Sequence, residues 1–150
     1  MKLWAVVFPP PYIYMKGISE MKEYYIVVKT DGTIFVEEFE RKEDGSISEL
    51  YSKYIDGFIT IFNSRIKAPK ADKNRPDILV ICDDEAILKD LDLNVIGSIL
   101  YGNYILGNVI IGCSGYFNGE PDIVGFETHE EAFKFMAILH IYYNKVLEIK

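Results

Sequence analysis

Glutamine is absent from this chain of 150 residues, tryptophan occurs once, and cysteine and histidine occur twice each. Two histidines eleven positions apart, His129 and His140, carry no zinc signature. Cys82 and Cys113 form no CxxC pair, which excludes the redox and metal motifs built on that spacing. Two states fit these cysteines, free buried thiols in a reducing cytosol or a disulfide of the kind hyperthermophiles keep inside the cell. Missing glutamine with abundant lysine and glutamate is a thermophile trait. No apolar run approaches the roughly 20 residues that span a bilayer. Leu3 to Phe8 is short, lacks a cleavage site and stops at Pro9-Pro10-Pro11, so it is no signal peptide. The chain is expected in the cytoplasm, away from membranes. Basic residues are outnumbered 16 to 23, for a net charge of -7. Phosphate backbones recruit Lys and Arg, so direct nucleic-acid binding is not expected. A basic partner suits this charge better.

What is present is an apolar content of 49%, with 11 Tyr and 9 Phe. Such a chain can bury one core without staples, and its aromatics favour strands. Tyr24 to Lys29 and Thr33 to Phe39 flank Asp31-Gly32, a dipeptide with the positive φ angles of a tight turn, which predicts a hairpin. Ser46 and Glu49 have capping-box spacing, and Ile47, Leu50, Tyr51 and Tyr54 repeat at helical intervals up to Gly57. Phe58 to Phe62 reads as a buried strand, Asn63 to Arg75 as an exposed loop around Pro69, and Asp77 to Cys82 as a strand. Asn94 caps a short helical turn before Gly102. Leu106 to Cys113 is a strand, and a loop over Tyr116 to Pro121 leads to another at Ile123 to Phe126. Thr128 and Glu131 open a final helix over 130–144 whose apolar face carries Phe133, Met136, Ala137, His140 and Tyr143.

The expected class is α+β, a mostly antiparallel sheet with two or three helices, one of them C-terminal, packed on one face. Residues 1–150 form a single domain. Within it, 1–23 is an extension with a short strand and a proline-rich connector, and 24–150 is the core.

From Tyr24 onward the order of features resembles a family. A hairpin precedes a helix leading into Asp56-Gly57-Phe58-Ile59. A strand then ends in Asp84-Glu85, followed by Leu88 and Asn94. Next come Gly107-Asn108-Val109-Ile110-Ile111-Gly112 and Gly125-Phe126-Glu127-Thr128-His129-Glu130-Glu131. This order is similar to the DUF3846-like domain family of phages, plasmids and other mobile elements, over about four-fifths of the chain. Asp56 and Thr60 depart from that family's usual glycine and acid. The resemblance implies an origin in a mobile element; the family brings no established activity and no catalytic residues.

Candidate sites follow from the chemistry of particular residues. Asp83, Asp84 and Glu85 end an apolar strand with carboxylates that suit a hard cation such as Mg²⁺, with Glu127, His129, Glu130 and Glu131 as further ligands if the last helix starts nearby. Solvated acids at a strand end and a helix start look the same in sequence. His129 is either a general base or a surface residue, and His140 reads as a core histidine. Cys113-Ser114-Gly115 follows a strand as a nucleophile would, yet neither a nucleophile elbow nor a GxGxxG or GxxxxGK[ST] phosphate loop is present. No cofactor is expected. Glu37, Glu38, Glu40, Glu43 and Asp44 form an acidic exit from the hairpin, either a charge-protected sheet edge or a surface for a basic host protein. Tyr101, Tyr104, Tyr116 and Phe117 offer rings on which a nucleotide base would stack, although no Lys or Arg lies between Tyr101 and Phe126 to meet its phosphate. The leading expectation is a nonenzymatic accessory protein of a virus or plasmid that binds a host protein. The alternative is a small-ligand or nucleotide-signal binder, and the third is a carboxylate-metal enzyme. The aromatic N-terminal segment would also serve a homodimer by adding a strand to a neighbour.

Overall fold

The first hairpin shows how local chemistry sets this architecture. The computed structural model describes residues 22–67 and 77–149. Strand β1 (Lys22–Val28) pairs antiparallel with β2 (Ile34–Glu40), Val28 opposite Ile34. The loop is Thr30, Asp31 and Gly32, wider than the tight dipeptide turn expected. Only Gly32 takes a positive φ (92°), its N–H donates to the Lys29 carbonyl at 3.0 Å, and the Asp31 carboxylate accepts from the Thr33 N–H at 2.9 Å. A three-residue loop ending in a left-handed glycine is a standard hairpin connection.

The remaining elements are α1 (Ser48–Tyr54), β3 (Ile59–Asn63), β4 (Ile78–Asp83), α2 (Val95–Tyr101), β5 (Val109–Phe117), β6 (Glu120–Val124) and α3 (His129–Ile149). The class is α+β: a six-stranded sheet ordered β2-β1-β5-β4-β3, with β6 paired to β5 and every pairing antiparallel. The expected strand at Leu3 to Phe8, the proline-rich connector and most of the loop around Pro69 lie outside the described residues. The core begins earlier than residue 24, because Lys22 and Glu23 belong to β1. Among the described residues no helix is long and apolar enough to cross a membrane.

Helices cover both faces of the sheet, not one. Ile26, Val28, Val80 and Ile111 on one face pack with Ile96 and Leu100 of α2 and Phe135 and Leu139 of α3. On the other, Tyr25, Ile81 and Ile110 pack with Leu50 of α1 and with Ile55. Strand alternation explains the split, since neighbours in sequence point to opposite faces. The buried stripe of α3 is Ala132, Phe135 and Leu139, one residue off the expected face, so Phe133, Ala137 and His140 are exposed.

Three further local expectations change. Ser46 and Glu49 form no capping box: α1 has no side-chain cap, and Glu49 pairs with Lys42 at 2.9 Å. Strand β3 is an edge rather than a buried strand, with Phe58 just before it 73% exposed. Tyr116 and Phe117 continue β5, which turns at Asn118-Gly119, both with positive φ (53° and 80°), into β6. That dipeptide is the hairpin signal the sequence carried most openly.

Strand β5 meets two strands along one side. Its start pairs with β1 and its end with β6, and the chain leaving β6 enters the fork between them, where Tyr24 and Phe126 exchange backbone hydrogen bonds of 3.2 and 2.7 Å. Gly125 makes this entry, since a Cβ there would lie 2.7 Å from the Tyr24 nitrogen and 2.8 Å from its oxygen.

Candidate functional site

Four segments meet at one end of the sheet: the hairpin loop at Thr30, the C-terminus of α1, the end of β4 with the turn after it, and Gly107-Asn108 ahead of β5. Thr30, Tyr54, Ile55, Asp56, Asp83, Lys89, Leu91, Asp92, Gly107 and Asn108 line a cavity of about 280 Å³ there. Asn108 ties its walls together, accepting from the Thr30 N–H through Oδ1 and donating to the Tyr54 carbonyl through Nδ2, each at 3.2 Å.

Asp83 is buried at the end of β4. Its Oδ1 accepts from the Glu85 N–H at 2.8 Å, and its Oδ2 pairs with Lys89 Nζ at 2.8 Å. Lys89 Nζ also donates to the Asp56 carbonyl. The hydrogen bond to Asp83 raises the Lys89 pKa against a small cost of burial, and the charges of Asp83, Asp56 and Glu85 add to the rise. An ammonium held this firmly is a poor nucleophile. The cavity therefore offers one cation, several carboxylates and backbone groups, which suits a small polar ligand that both donates and accepts.

The expected metal set behaves differently. Asp83 is committed to Lys89, while Asp84 faces solvent. Among the described residues no three His, Cys, Asp or Glu side chains are arranged to hold a metal ion. His129 sits in the first turn of α3, 5.8 Å from Tyr24 and 6.3 Å from Phe133 between ring centres. The rings expected to stack a base do not converge. Tyr101 stacks on Phe62 at 4.2 Å, and Tyr104 lines a largely apolar groove of about 530 Å³ between α2 and α3. Tyr116 is exposed on β5, and Phe117 lies under the Arg41 guanidinium at 4.6 Å.

The acidic exit from the hairpin is divided by strand alternation. Glu37 faces α1, where Lys53 and Tyr54 bond its two oxygens at 2.6 Å. Glu38 is on the opposite face, paired with Lys22 at 3.4 Å. Glu40 and Glu43 are exposed, and Asp44 accepts from the Ser46 N–H at 2.8 Å.

Arg41, which stands within this run of charges in the sequence, is fully buried. Its guanidinium grips Glu23 through Nε and Nη2 at 2.7 and 2.8 Å, and reaches Asp122 at 2.9 Å and the Ile123 and Gly45 carbonyls at 2.7 and 3.2 Å. Glu23 in turn accepts from the Tyr25 hydroxyl at 2.8 Å and the Gly125 N–H at 2.9 Å. Burial first, then the Glu23 charge, pushes the Tyr25 phenol far above its ordinary range. Every donor has an acceptor, so the cluster is a structural tie between β1, the β2 exit and β6.

Cys82 and Cys113 are both free and buried. Burial, aided by the Asp83 and Asp84 charges, pushes the Cys82 thiol up to about 11; burial, then Glu131, takes Cys113 to about 12. Neither is a thiolate nucleophile near neutral pH.

No family model and no curated protein matches the chain. Among solved structures it is similar to the crystal structure of small RNA methyltransferase HEN1, at a TM-score of 0.51 and 13% identity. The match covers 75% of this chain and 16% of that one. The likeness is one of fold.

Proposed function

We propose that this chain is a nonenzymatic accessory protein that acts by binding another protein, a virus or plasmid product engaging a host protein as the mobile-element resemblance implies. One observation carries the reading. Phe58, Ile87 and Leu88 are 73%, 83% and 84% exposed, and they flank one edge of the sheet, where the Asp84 N–H bonds the Phe58 carbonyl. Large apolar side chains gathered on a surface mark contact sites. The contact surface thus shifts from the divided acids of β2 to this apolar rim.

The test is capture of a host protein from extract by wild type and by an Ile87→Asp/Leu88→Asp variant. Both positions lie in an exposed turn, so the variant should keep its melting temperature and lose the captured protein. Capture unaffected by the change but abolished by salt would move the contact back to the acids Glu38, Glu40 and Glu43.

A second reading, a small-ligand binder, is favoured by the cavity around Asp83, Lys89 and Asn108. Native mass spectrometry of the purified protein tests it directly. A retained small molecule that Asp83→Asn releases would support this reading over the first.

A further inference from the structure

The two edges of the sheet are built differently. Strand β2 carries Glu37, Glu38 and Glu40 and lies beside α3. Strand β3, Ile59-Thr60-Ile61-Phe62-Asn63, has no charge and no proline, and among the described residues no strand pairs with its outer side. Charged residues, prolines and bulges are how proteins blunt an edge against further pairing. None of these devices is present in β3.

The ladder to β4 fixes which backbone groups are open. Ser64 donates to the Ile78 carbonyl at 2.8 Å and Asp84 to the Phe58 carbonyl at 3.0 Å. Antiparallel pairs alternate between bonded and non-bonded positions. Thr60 and Phe62 therefore address β4, and Ile59, Ile61 and Asn63 turn their N–H and C=O groups outward.

We propose that β3 pairs antiparallel with β3 of a second copy of this chain, about a two-fold axis through Ile61. Outward-facing positions must meet outward-facing positions, and this axis satisfies that. Ile61 lies opposite the partner's Ile61, and Ile59 opposite the partner's Asn63. Ile61, 43% exposed, then covers its own copy across the axis, extending the apolar face over Ile81, its neighbour on β4.

Charge selects a second copy as the occupant. The exposed Arg65 and Lys67 follow β3, with Asp77 beside Lys67 at 3.6 Å, which leaves that end net positive. Asp56 precedes the strand and Asp84 and Glu85 flank its start, where Lys89 offsets only part of the negative charge. Antiparallel pairing sets the basic end of each strand against the acidic end of the other, and a parallel arrangement would set like charges together. A five-residue pairing is small, so the dimer is weak and reversible. Phe58 borders this edge, but Ile87 and Leu88 lie in the turn beyond the strand, so the Ile87→Asp/Leu88→Asp variant and the Ile61 variants distinguish failure of the proposed function from failure of this inference.

Sedimentation equilibrium from low micromolar to near-millimolar protein tests the dimer. Wild type should rise from monomer to dimer mass. Ile61→Pro removes an outward N–H without touching the ladder to β4, so it should stay monomeric with an unchanged circular dichroism spectrum. Ile61→Lys, which sets two ammonium groups across the axis, should do the same and serves if the proline variant misfolds. Ile61→Cys should form a disulfide-linked dimer under mild oxidation, since the two Cα atoms lie about 5.5 Å apart at a bonded pair. Wild type that stays monomeric throughout, or a dimer that survives both Ile61→Pro and Ile61→Lys, overturns the proposal. So does a monomer whose capture of a host protein is lost in Ile61→Pro, which would assign the edge to that protein.

Discussion

Replacing Arg41 with methionine keeps the volume of the side chain's stem and removes its charge. The carboxylate of Glu23, whose side chain is 10% exposed, loses its two-pronged partner. The carbonyls of Ile123 and Gly45 lose a donor, and Phe117 loses the cation above its ring. Asp122 is 39% exposed and can turn to water, so its share is small. Breaking a buried pair from one side costs about 3–5 kcal/mol. In a domain of this size each kcal/mol moves the melting temperature by about 2–4 °C, so a fall of roughly 6–20 °C is expected. Urea unfolding of wild type, Arg41→Met, Glu23→Gln and the double variant gives the coupling between the two residues, expected to be at least about 2 kcal/mol. Arg41→Lys should lie between wild type and methionine, because it restores charge but not the planar fork. A loss below about 1 kcal/mol for Arg41→Met, or additive single variants, would refute the view that this cluster ties β1 to β6.

Other outcomes follow from single groups. Asn94 caps α2 through the Gly97 N–H at 2.8 Å and donates to the Val28 and Gly107 carbonyls at 3.0 Å. Asn94→Ala should cost about 2–4 kcal/mol in urea unfolding, the lost cap adding to two orphaned carbonyls. Asn94→Asp should be no better, since its anion would face both oxygens. Burial alone would raise the Glu37 pKa, but the bonds from Lys53 and Tyr54 outweigh it and hold it below the usual carboxylate range. A depressed folded value means the stabilisation is present above the unfolded pKa and lost as pH falls through the folded one. Stability measured from about pH 5 to pH 3 should therefore decline less in Lys53→Met than in wild type. The thiols of Cys82 and Cys113 should resist a disulfide-exchange reagent at pH about 8 in the native protein and react in denaturant. Rapid native labelling of either would contradict their burial.

Much of the fold was legible because its signals are local. Apolar, β-branched and aromatic runs marked β1, β2 and β4, Asn94 marked the start of α2, and Thr128, whose hydroxyl accepts from the Glu131 N–H at 3.1 Å, marked that of α3. Face and depth were not legible, because they depend on which strands become neighbours. The pattern Phe58 to Phe62 reads alike in a central strand and at an edge. Arg41 stands between Glu40 and Lys42 with nothing in its surroundings to mark it as buried; its partners Glu23 and Asp122 are 18 and 81 positions away. The cavity is not legible in the sequence for the same reason. Asp83 had drawn attention as a metal ligand, but Lys89 and Asn108 became meaningful only once the sheet had gathered them at one end.

The unequal closing of the two sheet faces has a kinetic consequence. Among the described residues, α2 and the 21-residue α3 stand behind one face, and the seven-residue α1 stands behind the other. Short helices resting on few buried side chains open on their own, well before the whole protein unfolds. Amide protons of α1 should exchange with solvent ahead of those of β1, β4 and β5. The C-terminus of α1 supplies Tyr54, Ile55 and Asp56 to the cavity wall. When that helix lifts, the pocket loses one side and gains a doorway, so a molecule that enters there would be admitted by breathing of the thin layer and would slow it once bound.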